Sequence, residues 1–161
     1  MQIRAATADD WPEIWPFFRQ IVQAAETYCI DPHLSSEDGR RLWFPGPVSQ
    51  AFVAVEDGRV VGTARVYPNQ GGPGSHVASA SFMVDPAWAR GGVGRALGGY
   101  VLDWARDAGF CAMQFNAVVE TNSGAVALWR SLGFEVLATV PEAFVHPTLG
   151  SVGVHIMYRR L

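Results

Sequence analysis

Apolar and polar residues alternate with two periods along this chain, and the changes of period mark out its elements. Residues 2–6 (QIRAA) alternate as a short strand. Thr7 and Asp10 are then spaced as in a capping box, and Trp11, Ile14, Trp15, Phe18, Ile21 and Val22 keep helical spacing to about Ala25. A second helix is predicted from Ser35 or Ser36 through Leu42. The run 51–67, AFVAVEDGRVVGTARVY, reads as a β-hairpin turned at Asp57-Gly58. Residues 76–84 (HVASASFMV) form a further strand, stopped by Asp85-Pro86. The pattern then predicts a helix over 93–108, a strand over 112–118, a helix over 123–132, and strands over 135–140 and near 153–160. Segments 68–75 and 141–152 keep neither period and read as surface excursions of the kind that border sites. No repeat interrupts the series. The expectation is an α/β fold in a single domain spanning 1–161.

Composition narrows the function classes. Of the 161 residues 49% are apolar, enough to bury a sizeable core. The net charge of −3 lacks the basic stripe that a nucleic-acid surface needs, so no nucleic-acid partner is expected. Residues 1–25 carry Asp9, Asp10 and Glu13 among their apolar positions, and no window has the long uncharged run of a membrane span. The reading is therefore cytoplasmic, with no membrane partner. Cys29 and Cys111 have no metal-ligand spacing and read as small buried apolar groups in a reduced protein; no metal is expected. All 12 basic residues are arginines. The absence of lysine excludes a P-loop lysine, a Schiff-base lysine and a Ser–Lys dyad in this chain.

The stretch ARGGVGRALGGYVLDWA, residues 89–105, places five glycines at the start of a helix pattern. A helix opening after Gly91-Gly92-Val93-Gly94 offers free N–H groups and the positive end of its dipole to an anion. A Walker A loop is excluded, because Arg95-Ala96 follows Gly94. A dinucleotide fingerprint fits poorly: Leu97 stands where its third small residue belongs, and no acidic strand end follows about 20 residues later. A turn that merely lets helix and strand pack stays open beside an anion cradle.

The flanks add a family pattern. FMVDPAWARGGVGRALGGYVLDWARDAGF, residues 82–110, resembles the coenzyme A-binding segment of the GCN5-related N-acetyltransferases (GNAT). In that family a strand ends at a proline-containing turn, and Gln or Arg-x-x-Gly-x-Gly or Ala opens the next helix. Further on, NSGAVALWRSLGF matches the family's second signature at Asn122, Ala125, Leu128, Trp129, Gly133 and Phe134. The order of elements also follows the family, so the resemblance covers essentially the whole chain. It implies a mixed, mostly antiparallel central sheet with splayed strands, flanked by helices. It also implies acetyl-CoA as cosubstrate. The pantetheine arm would run beside Phe82, Met83 and Val84, held by backbone groups of Met83 and Val84. Pyrophosphate would lie against Arg90, Gly91, Gly92, Val93, Gly94 and Arg95, with Asn122 and Ala125 also on the cofactor. One departure stands out: Ala89 occupies the first motif position and Arg90 comes one residue late. A cradle of backbone N–H groups needs no side chain there.

The activity implied is transfer of an acetyl group to the amine of a small molecule, an amino acid or an analogue, by direct attack in a ternary complex. Protein or peptide N-acetylation, and a non-catalytic acyl-CoA sensor, are the alternatives. Such transfer needs a held thioester, a neutral amine, donors for the oxyanion and a proton for the thiolate. Many relatives carry a glutamate base on the strand before the glycine loop, whereas residues 76–84 contain no carboxylate and Asp85 suits its turn. Trp129 stands where many relatives have tyrosine. Its indole N–H donates but does not ionise, so Trp129 either hydrogen-bonds the sulfur or packs as core. Asn122 suits a helix N-cap and, by the resemblance, a place near the reacting groups. These two are the candidate catalytic positions. Asn116 interrupts an apolar strand, and its parity places it with Gln114 and Val118. There it would face the cleft and donate to an acceptor's carboxylate. Glu26 and Tyr28 would line the acceptor side. His146 is the reserve base, and His155 reads as structural. The expected partner is a small-molecule amine; a homodimer is one assembly compatible with the pattern.

Overall fold

A computed structural model describes residues 1–161. Seven strands form one sheet in the order β1-β2-β3-β4-β5-β7-β6. The strands are β1 (Gln2–Ala5), β2 (Gln50–Glu56), β3 (Arg59–Pro68), β4 (Val77–Val84), β5 (Ala112–Val119), β6 (Glu135–His146) and β7 (Gly150–Arg160). The helices are α1 (Trp11–Ala24), α2 (Ser36–Trp43), α3 (Val93–Asp107) and α4 (Ser123–Ser131). No helix is long and apolar enough to cross a membrane.

Local chemistry explains most boundaries. The Thr7–Asp10 capping box forms as expected, and Asp10 also takes two hydrogen bonds from the Arg4 guanidinium at 2.7 and 2.8 Å. Ala25 ends α1 in a left-handed conformation, and Ser35 caps α2 by accepting from Asp38 N–H at 3.1 Å. Asp57 and Gly58 both have positive φ, as the tight turn between β2 and β3 requires.

Strand alternation then distributes the core. On β2, Phe52 and Ala54 pack toward α3 and α4, while Ala51 and Val53 pack toward α1 and α2. Two helix pairs thus cover opposite faces of the sheet.

One seam differs from all the others. β4 and β5 are the only parallel neighbours, and they pair only at Val77↔Ala112 and Ala78↔Met113. Beyond those pairs the strands part, which the family pattern anticipates. One expectation is corrected on the far side of β5. Segment 141–152 is no surface excursion: β6 runs to His146 and β7 begins at Gly150, so most of it is hairpin. β6 is an edge strand, exposed at nearly every position, so burial imposes no alternation to read, and Pro141 is tolerated there. A register shift between Val140 and Phe144, with Glu142 at φ 52°, breaks the period further.

Candidate active site

Parting β4 from β5 leaves backbone groups of β4 without a strand partner. Asp85 N–H donates to Val61 O of β3, whereas Phe82 N–H donates to the Tyr28 hydroxyl at 3.1 Å. Successive residues of an antiparallel strand point their polar groups alternately, so Phe82 and Val84 face the gap and Met83 faces β3. This corrects the expected pairing of the cofactor with Met83 backbone. Its side chain is buried among α1-side residues as well.

A cavity of about 840 Å³ passes through this gap and reaches both faces of the sheet. On the α3 side lie Arg90, Gly92, Val93, Gly94, Arg95, Asn122, Ala125, Leu128 and Trp129. The first backbone bond at the head of α3 is Ala96 N–H to Gly92 O. The N–H groups of Gly92, Val93, Gly94 and Arg95 therefore have no acceptor within the chain, and they gather at the positive end of the α3 dipole. That donor set fits a pyrophosphate. Gly94 keeps it open: a Cβ there would come within 3.3 Å of Leu128 Cδ2. Gly91 stands apart, its N–H spent on Trp88 O at 3.2 Å, and it does not line the cavity. Arg90 is exposed and unpaired, while Arg95 reaches Ser131 on α4 at 2.9 Å.

Asn122 caps α4 through its Oδ1, which accepts from Ala125 N–H at 3.2 Å, leaving its Nδ2 free in the cavity wall. Capping and lining are thus compatible uses of one amide. Trp129 is 7% exposed, with its ring centroid 4.7 Å from Phe82 and 4.8 Å from Phe115. Its N–H has no partner in the chain and is not among the buried unpartnered polar atoms, so it keeps access to the cavity. These three rings form an apolar wall where β4 and β5 separate.

The α1 side is lined by Tyr28, Cys29, Leu42, Trp43, Arg65, Tyr67, Ser79 and Ser81. Glu26 is absent from this lining and exposed, a correction: α1 ends at Ala24, so Glu26 lies on the outer side of the turn that brings Tyr28 inward. Tyr28 donates to Phe82 O and accepts from Phe82 N–H, closing the seam from this side. Cys29 and Cys111 are both exposed, contrary to the buried reading, because each sits in a connection outside the strands and helices.

Asn116 lines the cavity at its exposed rim. Its Nδ2 donates to Asn69 at 2.6 Å and its Oδ1 accepts from Gln114 at 2.9 Å. The two residues Asn116 and Ala117 bulge between Phe115↔Met157 and Val118↔His155. That bulge reverses parity, so Val118 joins Phe115 in the core and does not share the face of Asn116. The two histidines singled out in the sequence lie away from the gap. His146 ends β6 with its Nδ1 accepting from Leu149 N–H at 3.3 Å, and His155 Nδ1 lies 2.8 Å from the Thr139 hydroxyl.

The sequence reading missed Arg65, Tyr67, Ser79 and Ser81. Their signal is alternation: two polar pairs, each two residues apart, in strands that are otherwise apolar. Burial disfavours ionisation of Tyr67, but the Ser79 hydroxyl, the Arg65 charge and the Ser81 hydroxyl outweigh it and hold this phenol below the usual tyrosine value. Tyr28 goes the other way, pushed up to about 12 by burial. The unfolded chain ionises a tyrosine near pH 10, so stability from Tyr28 is complete below pH 10 and is lost as pH rises toward about 12. Tyr28→Phe is expected to flatten that alkaline decline, read from urea midpoints at about pH 8 and about pH 11. An identical decline in both proteins would mean the phenol titrates as if in solvent.

Known proteins share this arrangement. The model of the acetyltransferase (GNAT) family matches residues 10–134. A GCN5-related N-acetyltransferase from Kribbella flavida superposes with a TM-score of 0.96 and 60% identity, over 99% of this chain and 97% of that one. The putative acetyltransferase yncA of Salmonella typhimurium, solved with its cofactor acetyl-CoA, gives 0.84 and 25% over 100% and 94%. The N-acetyltransferase aca1 of Schizosaccharomyces pombe is 25% identical over 142 residues, 79% of this chain and 68% of its own. The chain belongs to the GNAT acetyltransferase family of acyl-CoA-dependent N-acyltransferases.

Proposed function

We propose that this protein moves an acetyl group from acetyl-CoA to a small amine, with the amine attacking directly while both substrates are bound. Acetyl-CoA supplies an activated thioester. The chain's part begins at the N–H groups of residues 92–95, which hold pyrophosphate, and continues along the edge of β4 at Val84, beside Phe82, whose own backbone groups are taken by Tyr28. Phe82, Phe115 and Trp129 exclude water where the strands part. The amine comes from the opposite face, so the two substrates meet inside the sheet instead of competing for one mouth.

The observation that carries the small-molecule reading is the roof over that second mouth. Residues 27–30 cross it, and Tyr28 fastens them to both backbone groups of Phe82. Leu42 and Trp43 of α2 form the adjoining wall. A compact amine fits beneath such a roof. Direct attack is favoured because no histidine or carboxylate lines the cavity to activate the Cys29 thiol.

Free-thiol release from acetyl-CoA, measured against amino acids, other small amines and peptides, tests both parts. The expected result is release with small amines and intersecting initial-velocity lines. Parallel lines would show a covalent relay. Release only with peptides would replace the acceptor class, and tight acetyl-CoA binding without release to any amine would make the protein a sensor.

A further inference from the structure

Charge is unbalanced in the cavity. Its lining contains three charged residues, Arg65, Arg90 and Arg95, and no Asp or Glu. Arg90 and Arg95 are exposed on the α3 side, where a polyphosphate answers them. Arg65 is different. It is half-buried on the α1 side, its Nε is shielded from solvent without a hydrogen-bond partner, and it takes part in none of the chain's ion pairs.

What holds the Arg65 side chain is only partly electrostatic. Nη1 donates to Leu42 O near the C-terminal end of α2. The guanidinium lies 4.4 Å from the Tyr67 ring centroid and 5.7 Å from that of Trp43. Ring faces and a helix end attract a cation, but neither supplies a hydrogen-bond acceptor for Nε. A desolvated cation without a counter-ion is costly unless something binds there. Around it, the cross-strand partners Arg65↔Ser81 and Tyr67↔Ser79 set a guanidinium and three hydroxyls on one patch of the sheet. A guanidinium with hydroxyls beside it suits the oxygens of an anion.

We propose that Arg65 anchors an anionic group of the acceptor, so that the substrate class is small amines carrying a carboxylate or an equivalent oxyanion. This rests on the small-amine reading above. It also assigns the anion to Arg65 rather than to Asn116, whose amide is already engaged by Asn69 and Gln114 at the exposed rim. A second benefit follows from the same charge. A cation near the bound amine disfavours its ammonium form, and the neutral amine is the nucleophile. In a cavity lined by no carboxylate or histidine, that bias partly stands in for a base.

The test compares an accepted amino acid with its amide and its decarboxylated amine, using wild type, Arg65→Gln and Arg65→Lys. Wild type is expected to favour the carboxylate in kcat/KM by about 10- to 100-fold, the range for losing a hydrogen bond to a charged group. Arg65→Gln should erase that preference, mainly through KM. Arg65→Lys should keep part of it, having the charge without the fork. As a second readout, calorimetry with the N-acetylated amino acid should show about 10- to 100-fold weaker binding to Arg65→Gln. An acetyl-CoA melting shift reports that each variant is folded; should Arg65→Gln fail it, the wild-type preference and Arg65→Lys decide. Equal kcat/KM for acid and amide in wild type would overturn the anchor, as would equal losses on both in Arg65→Gln. Turnover of peptides and of no small amine would overturn the small-amine reading itself, and the anchor with it.

Discussion

Saturating acetyl-CoA is expected to raise the melting temperature of the wild-type protein by roughly 5–10 °C and to leave Gly94→Glu unmoved. Ligand at about 100 times its dissociation constant adds about 2.7 kcal/mol, and a domain of this size gains about 2–4 °C per kcal/mol. The four unpaired N–H groups at the head of α3 supply the site, and Gly94 lies in their midst. A glutamate there fills the cradle and sets a negative charge against phosphate. Gly94→Ala separates the two effects. Its Cβ would meet Leu128 Cδ2 at 3.3 Å and Val84 Cγ2 at 3.7 Å, and the flexible leucine tip can give way. This variant should retain most of the shift. A full shift in Gly94→Glu, or an equal shift with NAD in the wild type, would remove the cradle from the cofactor site.

Trp129→Ala should strongly destabilise the α3 side of the cavity wall. The side chain is 93% removed from solvent by contacts that include Phe82, Phe115 and Phe134, being 7% exposed. Removing a buried tryptophan ring costs about 3–5 kcal/mol, or roughly 6–20 °C in melting temperature. Gly98 makes the position unforgiving: a Cβ on Gly98 would meet Leu132 Cδ1 at 2.7 Å and Trp129 Cζ3 at 3.2 Å, so α3 and α4 are set for this ring. Trp129→Phe keeps an aromatic wall and loses the N–H. Because an indole does not ionise in the working range, the rate profile of the wild type should have no alkaline limb due to this residue. Trp129→Phe should keep turnover within about tenfold, below the 100-fold or more that a proton donor typically contributes. A loss above about 100-fold, with a normal acetyl-CoA shift, would show that the N–H acts on the reacting group.

Much of this protein is legible in its sequence. Helix and strand periods, the capping box at Thr7, the turn at Asp57-Gly58 and the glycine opening of α3 are local: each is decided by residues within a turn or two. The paired signatures around Gly94 and Trp129 then identified the family pattern. Tertiary structure decided what lies opposite what. Tyr28 meets Phe82 across a sequence separation of 54 residues, and the single bulge at Asn116-Ala117 sets Val118 beside Phe115 instead of on the face of Asn116. Met83 and Phe82 are neighbours in the chain, yet only Phe82 offers its backbone to the gap, because β3 claims Met83. Arg65 reads in sequence as one more strand arginine. It becomes an unanswered charge only where β4 parts from β5, α2 covers the strand ends and the lining contains no acid. Side-chain period is a property of each strand alone, whereas strand pairing and the solvation of a charge belong to the assembled sheet. The sequence therefore determined the elements and the glycine opening of α3, and the assembled sheet determined what lines the cavity.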